Sequence, residues 1–136
     1  MTRRLLASVA TALSLVLCVS GCSKSVSVGQ EFVDGPLTMT VVGSQCAEIS
    51  NYRSCIVRLV IANRTSTEAL FSAEWQSGKL ANGTPVRTAS PSRRIIPVGA
   101  ESISTLIDFA VNDSTLTSVT LRGSQESKGT TVTLTK

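Results

Sequence analysis

Beyond residue 27 the chain repeatedly alternates apolar and polar positions with a period of two, the signature of strands with one buried face. Leu37, Met39 and Val41 share a face and leave Thr38 and Thr40 on the other. Cys55, Val57, Leu59 and Ile61 repeat the pattern, with Arg58 opposite. Ile103, Thr105, Ile107, Phe109 and Val111 form a third face, while Ser102, Ser104 and Asp108 point away. Val119 with Leu121, and Val132 with Leu134, predict two short final strands. The branched β-carbons of Thr130, Thr131, Thr133 and Thr135 favour the extended state there. Turn signals separate the runs: Asp34-Gly35-Pro36, Asn82-Gly83, Pro97-Val98-Gly99, Asn112-Asp113-Ser114 and Ser127-Lys128-Gly129. Helical periodicity is hard to find. Short strands without intervening helices predict an all-β antiparallel sandwich or barrel. Residues 78–94 carry the weakest pattern and predict a long sheet-to-sheet crossing or a loop.

The first 21 residues follow another rule. Arg3 and Arg4 precede a fifteen-residue apolar run, Leu5 to Val19, broken only by Ser8, Thr11 and Ser14. A basic start, a short apolar middle and small residues at its end predict a helical export signal. The run falls short of the roughly 20 apolar residues of a bilayer-crossing helix. Val19-Ser20-Gly21-Cys22 resembles the lipobox of bacterial lipoproteins, an aliphatic residue and two small ones before cysteine. The resemblance implies a diacylglycerol thioether on Cys22 and cleavage between Gly21 and Cys22. Two acyl chains hold a protein stably on a membrane where one holds it only marginally. The organisation predicted is therefore a removed leader at 1–21, a short tether at 22–27 from lipidated Cys22, and one β-sandwich domain at 28–136. Its expected location is extracytoplasmic, anchored by lipid to the bacterial cell membrane. Six extended residues reach only about 20 Å, so the domain is expected close to the bilayer.

Composition narrows the chemistry. The chain has 136 residues and a formal charge of +4, which falls to +2 when the two charges of Arg3 and Arg4 leave with the leader. One domain is expected at this length. There is no histidine, which removes the commonest general base and metal ligand together. Cys18 leaves with the leader and Cys22 carries the lipid, so Cys46 and Cys55 remain for each other. In an oxidising compartment they predict a disulfide pinning a hairpin connection. A ten-residue loop corresponds to about 2.5–3 kcal/mol of stabilisation. Two cysteines without histidine do not fill a four-ligand zinc site, and a redox pair is more often spaced Cys-x-x-Cys.

Several segments taken in order are similar to one family. They are Val28-Gly29-Gln30, Val57 to Asn63 (Val-Arg-Leu-Val-Ile-Ala-Asn), Leu80-Ala-Asn-Gly-Thr84, Pro97-Val-Gly-Ala-Glu101 and Phe109-Ala-Val111. The order resembles the small extracytoplasmic domains of unknown function in many Gram-positive lipoproteins. These are grouped with the mycobacterial immunoprotective extracellular protein and the telokin-like sandwiches. The resemblance covers about residues 26–134. It implies an immunoglobulin-like β-sandwich, secretion or anchoring, and no catalytic residues to carry over.

The residues agree that catalysis is not expected. A triad lacks its base. Lys24, Lys79, Lys128 and Lys136 all lie outside apolar runs that would lower an amine's pKa. Asp108 is the one acid deep in a patterned strand and fits a solvent-facing position. No cofactor or metal is expected, and a mature charge of +2 outside the cell argues against nucleic acid. Asn63-Arg64-Thr65, Asn82-Gly83-Thr84 and Asn112-Asp113-Ser114 match the glycosylation sequon but read as turns behind a bacterial lipobox. Four residues are candidates for interaction. Trp75 and Tyr52 are amphipathic aromatics of the kind enriched at binding surfaces, although Trp75 also suits a core edge. Arg93 and Arg94, with Arg87 nearby, form a basic cluster that fits either a solvated loop or contact with lipid headgroups, wall polymer or an acidic partner. The expected function is a non-enzymatic envelope interaction module, with an unidentified envelope protein or polymer partner. The alternative is a binder of a small lipid or peptide ligand.

Overall fold

A computed structural model describes residues 24–134 apart from 50 and 113. The leader with its predicted helix, and Cys22 itself, lie outside the described residues. Eleven strands follow in chain order: β1 (Lys24–Ser27), β2 (Glu31–Asp34), β3 (Leu37–Ile49), β4 (Tyr52–Ala62), β5 (Ala69–Ser72), β6 (Ser77–Leu80), β7 (Pro85–Arg87), β8 (Arg93–Ile96), β9 (Ile103–Ala110), β10 (Leu116–Leu121) and β11 (Thr130–Thr133). A single 3₁₀ turn, Ala73–Trp75, separates β5 from β6. They form a five-stranded sheet in the order β1-β11-β10-β6-β7, a four-stranded sheet in the order β2-β3-β4-β9, and the small pair β5-β8. The fold is an all-β sandwich.

The period-two faces meet in one core. Leu37, Met39 and Val41 of β3, Val57, Leu59 and Ile61 of β4, and Ile107 and Phe109 of β9 are buried from one sheet. Leu116, Val119 and Leu121 of β10 and Val132 of β11 are buried from the other, while Phe71 and Ile96 enter from the β5-β8 pair. Each large aliphatic or aromatic side chain so buried is worth roughly 1.5–3 kcal/mol relative to exposure.

The antiparallel sandwich has one exception, and two other expectations need correction. Strand pairing is not wholly antiparallel: β1 runs parallel to β11, with Lys24 opposite Thr130 and Ser27 opposite Thr133. Parallel neighbours need a long crossover, and here nearly the whole domain supplies it. Residues 24–27, expected as tether, are therefore a strand paired into the sandwich. Val28 and Gly29 instead make the turn into β2. Residues 78–94 hold structure too. Lys79 pairs with Pro85 across the Asn82-Gly83 turn, so this segment completes the β6–β7 hairpin before reaching β8.

Buried polar side chains fasten the loops. Asn63 is fully buried; its amide donates to the carbonyls of Thr67 and Ile96, and its oxygen accepts from the Thr65 backbone. Gln76, also buried, donates to Ser72 and Arg122 carbonyls and accepts the Arg122 N–H. Asp34 joins the two sheets: its carboxylate accepts the Gly123 N–H and Thr130 hydroxyl at 2.9 Å each, and the Ser127 hydroxyl as well. Gly123 has no alternative there, because a Cβ would stand 1.7 Å from the Asp34 carbonyl oxygen.

Candidate functional site

The two longest strands, β3 and β4, carry the first candidate surface. β3 and β4 pair from Thr38–Ala62 out to Ile49–Tyr52, with a bulge between Val41 and Gly43. β2 accompanies β3 only through residues 37–40. Beyond that, Gly29 N–H reaches the Val41 carbonyl, and on the side away from β4 no described strand lies beside residues 43–48. A strand edge carries unpaired N–H and C=O groups ready to accept another strand. Cys46 and Cys55 are directly opposite one another across this hairpin, with Cα atoms 3.9 Å apart, and form a disulfide. The bond therefore lies within the strands, several residues before the hairpin turn.

A shallow groove runs across the outer face of the same sheet. Its volume is about 250 Å³, and Gly43, Gln45, Ala47, Ile56, Arg58 and Leu106 line it. The small residues of β3 leave the depression, while Ile56 of β4 and Leu106 of β9 supply its apolar walls. Leu106 is 56% exposed, and a Cβ built on Gly43 meets nothing within 4 Å. Among the described residues Arg58 has no ion-pair or hydrogen-bond partner. On the floor Ser54 donates its hydroxyl to Asp108, so that acid is half-buried and held, not simply solvated. Leu106 was legible in principle, since it shares the phase of Ser104 and Asp108. The groove itself was not, because it arises from lateral neighbours on three strands.

The four interaction candidates divide. Tyr52 is exposed near the hairpin tip and lines a polar cavity with Glu48, Arg53 and Asn112. Trp75 is half-buried and lines a different cavity, of about 670 Å³, together with Glu74, Arg87 and Arg93. Arg93 and Arg94 belong to strand β8, not a loop, and the pleat sends them apart. Arg93 joins Trp75, whereas Arg94 crosses to β9 and donates to the Ser104 carbonyl at 2.9 Å. Arg122 is the residue the sequence did not single out here. Its guanidinium bonds the Trp75 and Ser127 carbonyls and fixes the turn that carries the indole. Among the described residues no group of three or more cysteine, histidine or acidic side chains is placed to hold a metal.

Two solved structures share this architecture. A secreted protein of Mycobacterium tuberculosis, MPT63, superposes with a TM-score of 0.62 over 84% of this chain and 99% of its own, at 14% identity. The fold is similar to that of MPT63. The yjhA protein of Bacillus subtilis gives a TM-score of 0.56 over 81% of this chain and 99% of its own, at 11% identity. No family model and no curated protein matches the sequence. The likeness is one of fold, and at that level it meets the relationship expected from the resemblance. The segments that carried the resemblance have structural duties: Val57–Asn63 ends β4 at the buried asparagine, and residues 80–84 and 97–101 are turns.

Proposed function

We propose that the protein is a lipid-anchored, extracytoplasmic interaction module that accepts an extended segment of a partner along the open edge and outer groove of the β3–β4 hairpin. The open edge beside residues 43–48 carries this reading. An added strand gains main-chain hydrogen bonds, and pockets for alternate side chains give selectivity. Ile56 and Leu106 suit apolar side chains of the incoming segment, and unpartnered Arg58 suits one acidic group. The core is closed, and the groove is shallow, which suits a chain lying across it. The leader, the lipobox-like Cys22 and the disulfide support an extracytoplasmic setting. An edge and a shallow groove suit the binding of a chain, and the role proposed is accordingly non-enzymatic.

The test places a photo-crosslinking residue at Leu106 in intact cells, with Lys79 on the opposite sheet as control. The expected adduct forms from position 106, is absent from position 79, and is lost in Gly43→Ile, which fills the groove. Equal labelling at both positions, or an adduct indifferent to Gly43→Ile, overturns the edge-and-groove reading. The anchor has its own test: Cys22→Ala is expected to move the protein from the membrane fraction to the soluble fraction, and full retention on membranes refutes it.

A further inference from the structure

The register of the five-stranded sheet sets out one end of the molecule. Lys24 lies opposite Thr130, Thr130 opposite Leu121, Thr120 opposite Ser77, and Ser77 opposite Arg87. The chain therefore enters the sandwich one residue from the transverse row that carries Arg87, which is the row of Ser25. The connections at this end are the Ala73–Trp75 turn and the 122–129 loop, which Arg122 ties together. Arg93 opens β8 directly opposite Ser72, at the foot of the same turn.

Only residue 23 separates Cys22 from the first strand residue. At 3.3–3.6 Å per residue, a lipid on Cys22 holds Lys24 within about 7 Å of its attachment point. That distance is comparable to the roughly 5–8 Å thickness of one headgroup layer, so the Lys24 end is held at the bilayer surface. What this end presents suits such a neighbour. Trp75 lines an open cavity with Arg87 and Arg93, and neither arginine has an ion-pair or hydrogen-bond partner among the described residues. Exposed Lys128 adds a third cation two residues before Thr130. Glu74 and Glu126 are the exposed acids of these two connections, leaving the cations in excess. Tryptophan prefers the headgroup level of a membrane, where its ring is half in apolar and half in polar surroundings, and arginine pairs with lipid phosphate.

We infer that the Trp75–Arg87–Arg93 surface is a membrane-docking face that seats the sandwich on anionic lipid headgroups. The inference rests on the lipid anchor proposed above. Docking there turns the β3–β4 hairpin tip, at the far end of the strands, away from the bilayer and toward partners.

Trp75 is the chain's single tryptophan, so its fluorescence reports this face alone. The lipidated protein is reconstituted into phosphatidylcholine vesicles containing phosphatidylglycerol, with a nitroxide on a fraction of the headgroups. Vesicle flotation is read first, and Trp75 emission second. The expected result is flotation with loss of Trp75 emission to the headgroup quencher. Arg87→Glu with Arg93→Glu is expected to keep flotation and restore emission, each lost arginine lowering the docked-to-free ratio by about fivefold. A reporter moved to the opposite tip, Trp75→Phe with Tyr52→Trp, is expected to float without quenching. Flotation with Trp75 unquenched overturns the docking face and leaves the anchor standing. Failure to float overturns the anchor, and the docking face falls with it.

Discussion

Along the β3–β4 hairpin, Cys46 and Cys55 are clasped covalently where β3 has no further strand beside it, whereas at the opposite end Asp34 joins two sheets by hydrogen bonds alone. The two devices answer different problems. The outer half of β3 buries little: Gly43 is half-buried, and Ser44, Gln45 and Ala47 are exposed. A disulfide acts chiefly by restricting the unfolded chain and so needs little surrounding apolar surface. The Asp34 end has the reverse situation. Two backbone segments touch there so closely that Gly123 admits no side chain. Dry, crowded backbone must have its polar groups satisfied, and one carboxylate satisfies three donors, two from the 122–129 connection and one from β11.

Removing each device in turn tests that contrast. Asp34→Ala orphans the Gly123 N–H and two hydroxyls, and is expected to lower the urea-unfolding free energy by about 3–5 kcal/mol. Asp34→Asn sharpens the reason: its oxygen keeps Gly123 and Ser127, and the Thr130 hydroxyl turns to accept from the new amide. A loss of about 1 kcal/mol is expected for that change. Cys46→Ala with Cys55→Ala is expected to cost about 2.5–3 kcal/mol, the entropy of the short closed loop. If the cysteine pair proves costlier than Asp34→Ala, the division between the two ends is wrong. Gly43→Ile comes last. With nothing within 4 Å of its Cβ, it is expected to leave stability within about 0.5 kcal/mol while abolishing the Leu106 adduct.

The same contrast explains which parts of the fold are legible in the sequence. Leu37-Met39-Val41, Cys55 to Ile61, and Ile107 with Phe109 sit in strands that divide core from outside, so their alternation is clean and their burial follows it. β1 reads Lys-Ser-Val-Ser, a four-residue edge strand with one apolar residue, too short to show an alternation. β7 is three residues long and escapes notice for the same reason. The Asp34-Gly35-Pro36 turn was visible, but the carboxylate's partners lie some ninety residues on, beyond any local signal. Arg93 and Arg94 looked like one cluster because sequence adjacency hides the pleat; recognising a strand there would have separated them. The cysteine pairing was legible by elimination, and its position opposite within two strands was not.

The parallel pairing of β1 with β11 has a mechanical consequence. Tension applied to the chain ahead of Lys24, and resisted at the β3–β4 tip, runs along the axis of β1. The ladder to β11 then bears load in shear, with its bonds sharing the force together. An antiparallel hairpin pulled at its open end would instead unzip one bond at a time. A domain entered through such a strand yields abruptly at high force and resists being peeled from its N-terminal side.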